Sequence, residues 1–275
     1  MNDNLPPSAS SPPPPAPPDT ASEHGTPVRL WRLTRATAVL LKGLLIALFK
    51  LKRADVRLRN RHMQPWCASL LEILGVRLEV RGDLPRDDAP VFIVANHVSW
   101  LDIWLINAVS PTLFVAKSEI RHWPVVGWLA YRVGTLFIER TRRSDTRRVN
   151  DQIVARLAVA GERISVFPEG TTTDGSLVLP FRASLFQPAV SAQARVYPLA
   201  IRYLDAQGVR SDKPVYILDM TLLVSMWRIA GGKGLRAELH FLEPIEPGDR
   251  NRRELAALSQ ERVAAAISDS ISGSS

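Results

Sequence analysis

The chain has 275 residues, 46% of them hydrophobic and 23% charged, which suits a globular protein with one large core or two small ones and excludes a wholly disordered or fibrous chain. A formal net charge of +8 points to anionic partners, either nucleic acid or an anionic membrane surface. The one cysteine, Cys67, excludes an internal disulfide, and its apolar neighbours Trp66, Ala68, Leu70 and Leu71 predict a buried structural thiol.

Residues 1–27 are rich in Pro, Ser and Ala, with four prolines in a row from Pro12 to Pro15, and predict a disordered tail. That segment has no basic start followed by an apolar core, so it does not read as a secretory signal. From Leu30 to Arg53 the pattern changes. Arg29, Arg32, Arg35, Lys42, Lys50 and Arg53 fall on one side of a helical wheel, and Leu33, Leu40, Leu41, Leu44, Leu45 and Leu48 largely on the others. The apolar run Ala36 to Phe49 is shorter than the roughly 20 residues a spanning helix needs. Lys42 within it would add roughly 2.5–3.5 kcal/mol to insertion. The expectation is a basic amphipathic helix lying in the membrane interface, its cations at anionic head groups, with a core-packing helix of a soluble domain as the alternative. Pro65 to Leu74, closed by Gly75, predicts a second helix with Pro near its start and Gly at its stop. Residues 28–75 thus form an N-terminal amphipathic two-helix membrane module.

From Val76 strand and helix signals alternate. Strands are predicted at Val76–Val80, Val91–Ala95, Thr112–Val115, Thr135–Ile138 and Ile164–Phe167, and helices around Leu101–Ala108, Pro124–Arg132 and Asp145–Ala160. Val196–Tyr203, Val215–Asp219 and Arg236–Leu242 add strands, and Arg253–Ile267 a closing helix. The fold class expected for 76–275 is α/β, a mostly parallel sheet covered by helices.

The stretch Val91 to Trp104, VFIVANHVSWLDIW, carries the strongest chemical signal. An apolar strand ends at Asn96 and His97, and the carboxyl ends of strands in open α/β sheets are where ligands sit. Ser99 and Asp102 match the S-x-x-[DE] pattern of a helix start, with Ser99 as cap and Asp102 at the third helical position. Capping alone accounts for both residues, but not for His97. A carboxylate there leans back toward His97, and a histidine so held has one ring nitrogen free to take a proton.

Three further clusters lie near strand ends. Gly134 to Ile138 leads to Glu139 and Arg140, and the stretch to Arg148 is basic. Phe167-Pro168-Glu169-Gly170-Thr171-Thr172-Thr173-Asp174-Gly175 ends a strand with a carboxylate and a Gly/Thr-rich turn. Val196-Tyr197-Pro198 puts a proline inside an apolar strand, which predicts an edge or a bulge. In this order the blocks resemble those of the glycerolipid acyltransferases, the PlsC-like lysophosphatidic acid acyltransferase family. The resemblance covers about Val76 to Tyr203, with His97-x4-Asp102 matching the catalytic block.

The resemblance implies transfer of a fatty acyl group from an acyl-carrier-protein or CoA thioester to a lysolipid hydroxyl. It implies no tightly bound cofactor, no metal and no acyl-enzyme. His97 would be the base and Asp102 its orienting partner, and backbone amides near the helix start could hold the oxyanion. Asn96, Ser99, Arg140, Glu169, Gly170, Thr171, Thr172 and Arg182 are the expected substrate-side residues, with Arg140 and Glu169 placing the acceptor's polar head. Membrane association, on the cytoplasmic face of the inner membrane, follows from the family and the basic helix together.

The chain departs from the family at Thr172, where phosphate-binding members usually carry arginine. A hydroxyl there cannot make a guanidinium's paired bonds to phosphate, and Asp174 adds a negative charge. The variant looks more like that of lyso-ornithine lipid or other lysophospholipid acyltransferases, with lysophosphatidic acid as the alternative acceptor and Arg182 a possible compensating cation. A serine hydrolase lacks its Gly-x-Ser-x-Gly elbow at Ser99. His24, His62, His97, His122 and His240 show no ligand spacing for a metal. Nucleic-acid binding is disfavoured because the cations lie beside leucines rather than stacking aromatics. A catalytically silent lipid-binding protein is the non-enzyme alternative.

Overall fold

The structure, a computed structural model, describes residues 23–49, 55–85, 89–123, 126–138, 143–217 and 220–272. Two helices come first, α1 (Thr26–Phe49) and α2 (Val56–Leu74), followed by β1 (Arg77–Arg81) and β2 (Val91–Ala95). Next are α3 (Leu101–Val109), β3 (Leu113–Lys117), α4 (Val126–Arg132), β4 (Leu136–Ile138), α5 (Arg143–Leu157) and β5 (Arg163–Val166). The chain continues through α6 (Gln187–Ser191), β6 (Arg195–Leu204), α7 (Leu222–Gly231), β7 (Arg236–Phe241) and α8 (Arg252–Ser272).

Five consecutive apolar residues make β2, and all five are buried, because the strand is covered on both faces as parallel sheets require. Val91, Ile93 and Ala95 pack with Cys67, Leu70 and Leu74 of α2 and with Leu101 and Leu105 of α3. Phe92 and Val94 face the other way, against Val149 and Ile153 of α5 and Leu255 and Val263 of α8. The period-2 alternation of the strand therefore sorts one short run into two cores. The sheet order is β1-β7-β6-β2-β5-β3-β4, and β6·β7 is its antiparallel pair. The expected α/β class with a mostly parallel, helix-covered sheet is the one observed.

Pro198 sits inside β6, between β2 and β7, so it does not mark an edge. Leu199 pairs with Phe241, whereas Val196 pairs with Ile245. Two residues on β6 thus oppose three on the partner, a bulge placed where proline has no N–H to offer the ladder. Residues 215–217 are not a strand, and the rest of the expected strand, Leu218 and Asp219, lies outside the described residues. The chain instead enters α7, a helix with Thr221 as N-cap accepting from Val224 N.

Helix α2 begins nine residues before Pro65, capped by Asp55, whose carboxylate accepts from Leu58 N at 2.7 Å. Pro65 therefore lies inside the helix and not near its start. Gly75 ends α2 in the left-handed region (φ 77°), its N–H reaching the carbonyls of Leu71 and Glu72, as a helix C-terminus favours. α1 crosses α2 at Gly43, where a Cβ would lie 2.1 Å from the Trp66 ring. The Trp66 indole donates to the Val39 carbonyl at 2.8 Å.

The basic stripe of α1 divides in two. Arg35 and Lys42 are exposed, but Arg29 and Arg32 turn inward. Arg32 Nη1 donates to the carbonyls of Ala230 (2.9 Å) and Gly232 (3.0 Å), capping the C-terminus of α7 where its dipole is negative. Arg29 donates to the carbonyls of His24 (2.9 Å) and Trp227 (3.3 Å) and pairs with Glu23. Two of the cations assigned to lipid head groups are therefore internal. The same knot orders Glu23 and His24, inside the segment expected to be tail, and α1 starts at Thr26. Lys50 and Arg53 lie outside the described residues. Among the described residues, no helix is long and apolar enough to cross a membrane.

Replacing Arg32 with Ala leaves those carbonyls without their charged partner. The expected loss is about 2–3 kcal/mol in denaturant unfolding, whereas exposed Arg35→Ala stays within about 0.5 kcal/mol. The knot also carries a pH dependence. Burial, then the charges of Arg32, Lys233 and Arg29, lower the His24 pKa from 6.5. On acidification below that value the unfolded chain takes up a proton that the folded protein does not, so stability falls. Comparing unfolding midpoints with His24→Gln should show a smaller acid loss in the variant; an equal loss would place the acid sensitivity elsewhere.

Candidate active site

Where β2 ends, Asn96 extends its pairing by means of a side chain. Its Oδ1 accepts from Ile201 N (2.8 Å) and its Nδ2 donates to Ile201 O (3.0 Å), so the amide does what one more strand residue would do. Asn96 is 1% exposed, and its expected contact with substrate is replaced by this bracket to β6. The chain then turns, and His97 leaves the sheet at the carboxyl end of β2.

The His97 ring is fixed twice. Nδ1 lies 2.8 Å from Asp102 Oδ2, and one face stacks on Phe167 at 3.9 Å and 8°. Phe167 in turn stacks on Phe114. With the carboxylate oxygen as acceptor, Nδ1 is the donor of this bond, and Nε2 is the ring nitrogen left to meet a substrate. The side chain retains 19% exposure.

The Asp102 side chain is fully buried, and burial of a carboxylate is tolerated only when donors surround it. Besides the imidazole, Oδ2 accepts from Val98 N (2.8 Å) and Ser99 N (3.0 Å). Oδ1 accepts from Tyr203 Oη at 2.6 Å. Burial, then the adjacent Asp102 charge, hold the Tyr203 pKa well above the usual phenol value, so this tyrosine is a fixed donor.

The helix start differs in detail from the expected cap. Trp100 precedes α3 with helical dihedrals and no side-chain cap bond, and the Ser99 hydroxyl accepts from Leu101 N only at 3.3 Å. Asp102 thus lies in the first turn, one position earlier than expected. The amides of His97, Val98, Ser99 and Leu101 all donate to side chains. These four amides are engaged within the protein.

Glu169 is also enclosed, at 3% exposure. Oε1 accepts from His97 N (2.7 Å) and Oε2 from Leu179 N (2.9 Å). Burial raises its pKa, and those two amides and the His97 charge oppose the rise. Expected to place an acceptor head group, Glu169 braces the histidine's main chain, with one amide on each of its oxygens. Thr173 N completes the brace on the His97 carbonyl at 2.8 Å.

Gly170 turns the chain with φ 78°, and Thr171 is exposed beside it. The Thr172 hydroxyl donates to the Tyr216 carbonyl, so it ties the turn to the segment before α7. Asp174 is paired, with Ser176 and with Arg210, whose Nη1 lies 2.7 Å from its carbonyl and 3.3 Å from Oδ2. Arg210 is a cation near this turn that sequence reading passed over. Arg182 is exposed, its main-chain N on the Pro168 carbonyl. Arg140 lies outside the described residues. Tyr203 is the other omission. The signal for it was a tyrosine deep in an apolar strand, which needs a partner for its hydroxyl.

A cavity of about 350 Å³ lies against Val98 and Tyr203, with Gly175, Val209 and Arg210 among its walls. A larger one, about 850 Å³, opens elsewhere, so the site is located by its dyad and not by cavity size. A carboxylate-held histidine at the carboxyl end of the central strand of a parallel α/β sheet can draw a proton from a hydroxyl.

The chain belongs to the acyltransferase family and is an acyltransferase: residues 77–202 match the family model described as Acyltransferase. It is 39% identical over 219 residues to a lyso-ornithine lipid O-acyltransferase of Pseudomonas aeruginosa, covering 79% of this chain and 83% of that one. It is 37% identical over 212 residues to a 1-acyl-sn-glycerol-3-phosphate acyltransferase of Neisseria meningitidis, covering 77% and 82%. The fold matches the crystal structure of the 1-acyl-sn-glycerophosphate acyltransferase PlsC from Thermotoga maritima with a TM-score of 0.66 at 23% identity, over 88% of this chain and 94% of that one.

Removing the Tyr203 hydroxyl should leave Asp102 Oδ1 buried without its donor. Tyr203→Phe is expected to cost about 1–3 kcal/mol of stability. Combined with Asp102→Asn, the two losses should fall short of their sum by at least about 0.5 kcal/mol. Additive losses in denaturant unfolding would mean that the hydroxyl serves something other than Asp102.

Proposed function

We propose that the enzyme moves a fatty acyl group from an acyl-carrier-protein or CoA thioester to the hydroxyl of a lysolipid at an anionic membrane surface. The observation that carries this reading is the 2.8 Å contact between His97 Nδ1 and Asp102 Oδ2 on a ring clamped by Phe167. His97 Nε2 takes the acceptor's hydroxyl proton as the oxygen attacks the thioester carbonyl. Asp102 stabilises the imidazolium, the tetrahedral intermediate expels the thiolate, and the imidazolium returns the proton to sulfur. The acyl group passes directly, with no covalent enzyme intermediate and no cofactor beyond the donor. Ser99 and Glu169 act through the aspartate and histidine they contact, and Asn96 acts through its bracket to β6.

The acceptor follows from Thr172. With its hydroxyl tied to Tyr216 and no guanidinium of its own, Thr172 offers no bidentate partner for a terminal phosphate. We assign a lysolipid without a phosphomonoester, of the lyso-ornithine lipid type, in agreement with the name of the Pseudomonas relative. Lysophosphatidic acid is the second reading, favoured by Arg210 beside the turn and by the name of the Neisseria relative.

Residues 28–75 serve as the membrane-facing layer and 76–275 as the acyltransferase portion, with contact at the cytoplasmic face of the inner membrane. The exposed apolar side chains support this. Trp31, Leu41, Leu45 and Phe49 of α1 and Leu223 and Val224 of α7 are all exposed, and α1 packs against α7. Arg35 and Lys42 remain at the surface to meet anionic head groups.

His97→Ala should abolish transfer. Asp102→Asn should fold, since its amide oxygen can still accept from the Val98 and Ser99 amides while its NH₂ meets the Tyr203 oxygen. Turnover is expected to drop on the order of a thousandfold or more; near-normal turnover of the purified variant would reduce Asp102 to a structural cap. The acceptor is tested by the ratio of kcat/KM for lyso-ornithine lipid and lysophosphatidic acid at one donor concentration. It should favour the former on the order of tenfold, and Thr172→Arg should shrink it. A wild-type preference for lysophosphatidic acid would sink the acceptor assignment and leave acyl transfer intact.

A further inference from the structure

The largest cavity, about 850 Å³, is lined by five arginines, Arg59, Arg121, Arg132, Arg148 and Arg156, and by no carboxylate among the described residues. Gly134 and Thr135, which precede β4, and the C-terminal half of α5 form its walls. The neighbouring Arg59 pairs with Glu162, immediately before β5. Arg59, Glu162, Gly134, Thr135 and the C-terminal half of α5 lie at the amino ends of β4 and β5, and Arg121 joins them from the segment after β3. His97 and Glu169 follow the carboxyl ends of β2 and β5, and β2, β5, β3 and β4 run parallel. The cavity is therefore at the opposite end of the sheet from the dyad.

Guanidinium groups crowded round one hollow repel each other, and a low-dielectric wall intensifies the field, so the arrangement calls for an anion. Glu162 neutralises Arg59 from outside the cavity. Arg132 carries a buried Nε with no hydrogen-bond partner, and Arg121 and Arg156 are exposed. Planar guanidinium forks match the oxygens of a phosphate in paired hydrogen bonds. The hollow is far larger than an inorganic phosphate needs, and its surroundings are apolar as well as basic. Arg132 reaches the carbonyl of Leu48, near the end of α1 (3.4 Å), and lies over Trp128. Leu45, Leu48, Phe49, Trp128 and Tyr131 are all exposed there. Cations framed by exposed leucines and aromatics suit the boundary between head groups and acyl chains.

The geometry points to a second, non-catalytic site in which the phosphate of an anionic lipid head group is held by Arg121, Arg132 and Arg156. This inference rests on the membrane-surface reading of α1 and goes beyond it, since none of these residues belongs to that helix. The lipid docks the end of the sheet far from His97, and two separate contacts then orient the enzyme on the bilayer.

The test is co-sedimentation of the full chain with vesicles of phosphatidylcholine alone and of phosphatidylcholine mixed with phosphatidylglycerol. Wild type should partition more strongly onto the mixed vesicles. Arg121→Gln with Arg156→Gln should lose that increment on the order of tenfold, with binding to neutral vesicles and acyl transfer to a detergent-dispersed acceptor unchanged. Ala155→Glu, which puts a carboxylate on the cavity wall, should do the same by repulsion. Coenzyme A, as a soluble phosphate source, is titrated in parallel by calorimetry. Coenzyme A binding that the paired variant removes, with the lipid increment intact, would overturn the lipid assignment. So would equal wild-type binding to both vesicle types, while leaving the apolar face of α1 standing. Failure of wild type to bind either vesicle type would bring down the membrane reading itself.

Discussion

A single buried carboxylate holds this site together. Asp102 costs several kcal/mol to desolvate, and the structure offsets that with an imidazole, two backbone amides and a tyrosine hydroxyl. Each donor comes from a different constraint. The amides require the chain to turn sharply after β2, the hydroxyl requires β6 to lie beside β2 in register, and the imidazole requires His97 to stand off the sheet. Ile201 and Tyr203, two residues apart on one face of β6, bind Asn96 and Asp102 respectively. A one-residue slip of β6 would turn Tyr203 away and break both contacts. The bulge at Pro198 lies on the β7 side and leaves the β2–β6 register unbroken.

Much of this was legible in the chain because local patterns carry it. The apolar run Val91–Ala95, the turn that follows and the carboxylate in the next helical turn are read within fourteen residues. The alternation of strand and helix signals from Val76 onward yields the parallel sheet by the same means. What could not be read depends on partners far away in sequence. Tyr203 meets Asp102 across 101 positions and Arg32 meets Ala230 across 198. No period or spacing encodes such pairs. The helical wheel of α1 treated all its cations alike, because it lacked α7, whose carbonyls draw Arg29 and Arg32 inward. The bracing contacts of Glu169 were hidden for a related reason: a carboxylate beside a Gly/Thr turn looks free until the amides of His97 and Leu179 are found on it. The proline-centred reading of β6 as an edge or a bulge kept two options, and the neighbouring strands chose between them.

The α1 helix joins the two ends of the molecule. Its first turns are knotted to the C-terminus of α7 through Arg29 and Arg32, and its last turn meets Arg132 beside the arginine cavity. Twenty-four residues at about 1.5 Å each span roughly 36 Å, about twice the length of the five-residue strand β2. A helix laid flat on a bilayer over that length brings both ends of the sheet to one surface. On the proposed reading, one end carries the histidine for a lipid-borne hydroxyl and the other the cations for a lipid-borne phosphate. An enzyme whose acceptor cannot leave the membrane gains from such a footing. A single anchoring point would leave the active site free to swing away from the plane in which its substrate diffuses, whereas two separated contacts restrict the protein to tilts that keep His97 near that plane. The inward turn of Arg29 and Arg32 fits the same reading, because it fastens α1 to the C-terminus of α7, just before β7.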